Sequence, residues 1–130
     1  MNESDLQVMV ADYLRLQYPE VLFHSDFGSG IKLTMGQAAK QKRQNGGRRA
    51  WPDMFIAEPY GFGYNAKSGL FIELKKKGVR LKKKNGEWAS EHIAEQAEVL
   101  ERLEFRGYRA VFAVGFDEAK EIIDNYLGKN

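Results

Sequence analysis

A chain of 130 residues, 43% apolar and 29% charged, is long enough for one domain with a core of its own. It has no cysteine, which excludes disulfides and thiolate metal sites and fits a reducing cytoplasm. No apolar run nears the length of a membrane span, and the opening Asn2-Glu3-Ser4-Asp5 is acidic rather than signal-like, so a cytoplasmic protein free of the membrane is expected.

The net charge of +2 hides a division. Residues 27–52 and 74–84 hold 13 of the 20 Lys and Arg and none of the 18 Asp and Glu. A basic face on an acidic body suits a polyanionic partner, although composition does not choose between DNA, RNA and an acidic protein.

Residues Ser4 to Gln17 read as an amphipathic helix, with Leu6, Met9, Val10, Tyr13 and Leu14 at helical spacing. Ser4 with Gln7 offers a capping box, and Pro19 stops the helix. Glu3 and Asp5 then serve the helix dipole, or one of them reaches a metal site. Val21 to His24 is a short strand, and Ser25 to Gly30 a loop.

The segment 28–50 is basic and predicted to be flexible, with a short helix from Thr34 to Arg43 capped by Thr34. Its bases Lys32, Lys40, Lys42, Arg43, Arg48 and Arg49 lead directly to Asp53, as a phosphate-contacting flap would. Met54 to Ala57 and Gly69 to Lys75 read as strands, separated by a Gly- and Tyr-rich excursion. Lys76 and Lys77 open a second basic run, which turns at Asn85-Gly86 towards Trp88, read as a packing residue. Ser90 starts a helix ending at Gly107, with Ile93, Ala97, Leu100 and Leu103 inward. Tyr108 to Val114 reads as a buried strand, and Asp117 as the cap of a last helix ending at Gly128.

Two carboxylates stand out because their apolar neighbours do not explain them. Asp53 precedes Met54-Phe55-Ile56, and Glu73 interrupts Leu70-Phe71-Ile72 and Leu74. Glu73 and Lys75 lie two apart, so a strand points both to one face. If the two runs pair, two carboxylates and a Lys gather as a divalent-metal site for phosphodiester cleavage. The two histidines, His24 and His92, form no cluster that suggests zinc.

Pro52-Asp53 followed by Glu73-Leu74-Lys75 has the form of the PD-(D/E)xK motif. With Glu3, Gln96 and the ending Gly107-Tyr108-Arg109-Ala110-Val111, it resembles the VRR-NUC family of that superfamily over essentially the whole chain. Lys32-Leu33-Thr34 and Gly36-Gln37-Ala38 before Trp51-Pro52-Asp53 are similar to stand-alone phage and bacterial members, although Trp51 stands where a small residue is usual.

The resemblance implies an α/β fold with a restriction-endonuclease-like αβββαβ core, a mixed sheet flanked by helices, filling residues 1–130 as a single domain. It implies Mg²⁺ or Mn²⁺ held by Asp53, Glu73 and the Leu74 carbonyl, with Glu3 binding directly or through water. Lys75 would be the catalytic lysine and Gln96 a supporting residue. The substrate would be DNA, in four-way junctions or other branched forms, cut by a homodimer in the cytoplasm of a bacterial or phage-infected cell. The alternatives are a non-catalytic nucleic-acid-binding module and a sequence-specific restriction-type nuclease. For a dimer, the loop Tyr60 to Tyr64 is the apolar candidate surface.

Overall fold

The computed structural model describes residues 1–26, 33–48 and 50–128. Helix α1 spans Glu3–Gln17, and its cap differs from the expected Ser4–Gln7 pair. Asp5 N–H donates to the Asn2 side chain at 2.8 Å, and Asn2 N–H points back to the Asp5 carboxylate. Starting the helix earlier adds backbone bonds such as Leu6 N–H to Asn2 O (3.1 Å). The buried stripe is Leu6, Gln7, Val10 and Leu14. Met9, expected on it, is 41% exposed. Gln7 takes an inward place because its amide donates to Ser25 Oγ at 2.6 Å and Asp26 O at 2.7 Å.

Four strands form one mixed sheet in the order β1-β2-β3-β4: Phe23–Ser25, Met54–Ile56, Leu70–Lys75 and Arg109–Val114. β1, β2 and β3 pair antiparallel, and β4 joins β3 in parallel after the crossover helix α3, Glu91–Phe105. The expected αβββαβ order is present. Helix α2, Met35–Gln44, sits between β1 and β2, and α4, Phe116–Leu127, follows β4.

Strand β3 divides its side chains by period two. Leu70, Ile72 and Leu74 join the main core with Leu6, Val10 and Leu14 of α1 and Ala119, Ile123 and Tyr126 of α4. Full burial of such side chains stabilises the fold by about 1.5–3 kcal/mol each. Phe71, Glu73 and Lys75 take the other face, where Phe71 stacks on Phe55 with centroids 4.4 Å apart. Gly69 opens β3 because a Cβ there would lie 2.6 Å from the Phe55 ring.

Three further expectations change. β4 is an edge strand with only Ala110 and Ala113 buried. Glu104 accepts from Ala110 N–H (2.7 Å) and Glu118 from Val114 N–H (3.2 Å), which protects the open edge. Gly115, at φ +85°, replaces Asp117 as the cap of α4, since the chain must leave β4 through a left-handed residue. The inward face of α3 is Ile93, Gln96, Val99 and Leu100, so Gln96 takes an interior position rather than Ala97. Trp88 packs on Phe112 at 5.8 Å, as expected. Among the described residues, no helix is long and apolar enough to cross a membrane.

Candidate active site

The register Met54↔Ile72 puts the start of β2 beside the end of β3, so Asp53 arrives next to Glu73 and Leu74. Asp53 Oδ2 accepts from Leu74 N–H at 2.8 Å. In an extended strand the N–H and C=O of one residue face the same neighbour, so the Leu74 carbonyl is directed to the Asp53 side as well. Asp26 N–H donates to Asp53 O at 2.6 Å, which fastens the end of β1 to the same place.

These residues open on a cleft of about 730 Å³. Its acidic wall is Glu3 from the first turn of α1, Asp26, Asp53 and Glu73. The lining also takes in Gln41, Lys42 and Asn45 of α2, with Arg48 and Trp51 after it. His92 and Gln96 of α3 complete the lining. Helix α2 has no buried residue and is held as a helix by its Thr34–Gln37 capping box.

The electrostatics are those of carboxylates packed together. Burial pushes the Glu73 carboxyl far above the usual range, and the Asp53 charge pushes the same way. Burial also raises Asp53, against hydrogen bonds from Glu73 and Leu74 that lower it. Lys75, only 6% exposed, lowers both without offsetting burial. The pair therefore favours holding a proton between its members.

Among the described residues, no three His, Asp or Glu side chains are close enough to cage an ion unaided. The donor set nevertheless fits Mg²⁺ or Mn²⁺. A hard cation of this kind takes one or two carboxylates and fills its other positions with water and substrate oxygen. Gln96 Oε1 adds to the fit: it is buried, lacks a hydrogen-bond partner and belongs to a residue lining the same cleft.

The other sequence expectations divide. Glu3, Asp53, Glu73 and Gln96 share the cleft, whereas Lys75 is buried and does not line it. Asp5 is spent on the α1 cap. Of the basic residues, Lys42 and Arg48 line the cleft; Lys40 and Arg43 lie on α2 outside it. Lys76 and Lys77 border a separate hollow beside Met9 and Phe116. Lys32 and Arg49 fall outside the described residues. Asp26 was not anticipated; only its pairing to Asp53 across β1 and β2 brings it in.

No family model and no curated protein matches the sequence. A solved structure named as a VRR_NUC domain protein matches with a TM-score of 0.69 and 27% identity, over 100% of this chain and 91% of that one. The chain is similar in fold to a VRR-NUC domain over its whole length. The likeness points to a nuclease-type domain and spans the whole sheet rather than the motif strands alone. In this chain, Trp51 is 38% exposed and lines the cleft, with its ring 6.2 Å from that of Phe71. A bulky residue before Pro52-Asp53 is thus accommodated by packing on the face of β3 that carries Glu73.

Proposed function

We propose that this chain is a divalent-metal-dependent endonuclease that hydrolyses phosphodiester bonds in branched DNA, four-way junctions included. The observation that carries the reading is the pairing of half-buried Asp53 with buried Glu73 in a cleft that Lys42 and Arg48 also line. Asp53, Glu73 and the Leu74 carbonyl would hold Mg²⁺ or Mn²⁺, with Glu3 in reach directly or through water. When bound, the metal supplies Lewis-acid polarisation of the phosphate and a lowered pKa for attacking water.

The chain's own groups do the rest. Lys42 and Arg48 draw the phosphate backbone against the acidic wall, which would otherwise repel it. Lys75 offsets negative charge developing at the phosphate. Gln96 keeps a buried, unpartnered carbonyl in the lining, free to accept a hydrogen bond when water or substrate is admitted beside it. Cutting both strands of a junction requires two such sites, which a two-fold homodimer provides. Phe62 and Tyr64, fully solvent-facing on the β2–β3 loop, lie at the end of the sheet away from the cleft, so pairing there leaves both clefts open.

The experiment is a cleavage panel of duplex, single-stranded, flap, fork and four-way DNA with Mg²⁺, Mn²⁺ or EDTA. Metal-dependent cutting of the branched forms is the expected result. Binding without cutting under either metal would make the chain a nucleic-acid-binding module. Cutting of plain duplex at one short sequence would make it a restriction-type enzyme.

A further inference from the structure

We propose that His92 is a positioning residue that fixes the orientation of the side-chain amide of Gln96, a residue lining the cleft. Gln96 and His92 lie one helical turn apart on α3, and Gln96 Nε2 is 3.2 Å from His92 Nε2. The amide nitrogen has no lone pair to offer, so it donates. His92 Nε2 must then accept, which places the imidazole proton on Nδ1. This one hydrogen bond decides the amide's orientation and leaves Gln96 Oε1, on a residue 6% exposed, without a partner.

Beside Asp53 and Glu73, that orientation has a chemical meaning. An amide turned the other way would put N–H donors where the unpartnered acceptor now stands. As placed, the amide keeps a buried, unpartnered acceptor, which accepts a hydrogen bond from a water admitted beside it and does not compete for the carboxylates. The imidazole is at the cleft edge on the exposed side of α3 and needs no contact with DNA to act. Its catalytic consequence rests on the nuclease reading, but the amide orientation does not.

The test joins an activity-independent readout to kinetics. Imidazole nitrogen spectra of the metal-free protein are expected to show His92 with a bare Nε2 and a protonated Nδ1. The chain has two histidines, and His24→Gln assigns the signals. On the branched DNA that wild type cuts best, His92→Ala should lower kcat on the order of tenfold at unchanged KM, as loss of an outer positioning partner does. His92→Gln, whose Oε1 reaches the place of the imidazole Nε2, should restore it. The double variant with Gln96→Ala should be no slower than Gln96→Ala alone. A protonated Nε2 overturns the proposal, as does wild-type kcat in His92→Ala. If wild type cuts no DNA, the nuclease reading falls while the nitrogen spectra still decide the orientation.

Discussion

Asp53 accepts the backbone N–H of Leu74 at 2.8 Å, and that bond holds its carboxylate against Glu73 beyond the last paired residues of β2 and β3. Two carboxylates are thereby fixed by the backbone of the sheet rather than by flexible side chains. The stability of the metal-free protein should register this.

Burial first, and Asp53 second, raise the Glu73 carboxyl from 4.5 to about 10. A folded-state pKa above the unfolded one contributes stability that is fully present below the unfolded pKa. That contribution is lost as pH rises towards the folded value. Melting temperature in EDTA should therefore fall between about pH 5 and pH 9. Glu73→Gln, an isostere of the protonated form, should flatten the slope and raise the melting temperature at about pH 8 by roughly 2–8 °C. A lower melting temperature for Glu73→Gln in EDTA would show that the carboxylate is not a strained group.

Asp124 makes the opposite case. Burial alone would raise its carboxyl, but hydrogen bonds from Tyr13, Tyr18 and Lys120 outweigh this and leave it below the ordinary value of 3.8. Both phenols donate to one oxygen at 2.6 Å, joining α1 to α4. A depressed carboxylate contributes stability above its unfolded pKa, lost as pH falls through the folded one. Asp124→Ala should cost about 1.5–3 kcal/mol in urea unfolding at neutral pH. The difference from wild type should shrink below about pH 4.

Gly69 is predicted to tolerate no side chain. The Phe55 ring that a Cβ would meet at 2.6 Å is itself held by Phe71 at 4.4 Å and cannot swing aside freely. Gly69→Ala should destabilise by about 1–3 kcal/mol. Unchanged denaturant midpoints would mean that the ring stack is loose.

The basic residues of the α2 region should separate by position. Lys42→Ala and Arg48→Ala should weaken binding of branched DNA more than Lys40→Ala and Arg43→Ala, because only the first two line the cleft. Removing one phosphate-binding cation should make the slope of log affinity against log salt shallower by about one. Equal losses of affinity at all four positions, measured by anisotropy titration, would put the DNA on the outer face of α2.

Much of this was legible in the sequence, for identifiable reasons. The period-two run Leu70 to Lys75 announces both the core face and the Glu73 face, and Thr34 announces the start of α2. What was hidden depends on tertiary pairing. Asp26 enters the cleft only through β1–β2 register, and Gln7 is buried only because the β1 end needs its amide. Two capping pairs were chemically plausible at the start of α1, and local sequence does not rank them. The apolar composition of Tyr108 to Val114 concealed that β4 lies at an edge, where half of an apolar strand meets solvent.

The most direct measurement compares wild type with Asp53→Asn on a four-way DNA junction in Mn²⁺, following cleavage and binding in parallel. Replacing one oxygen donor while keeping its shape should reduce cutting on the order of a hundredfold or more, with junction affinity retained. Cutting at the wild-type rate by Asp53→Asn would contradict the assignment of this cleft as the active site.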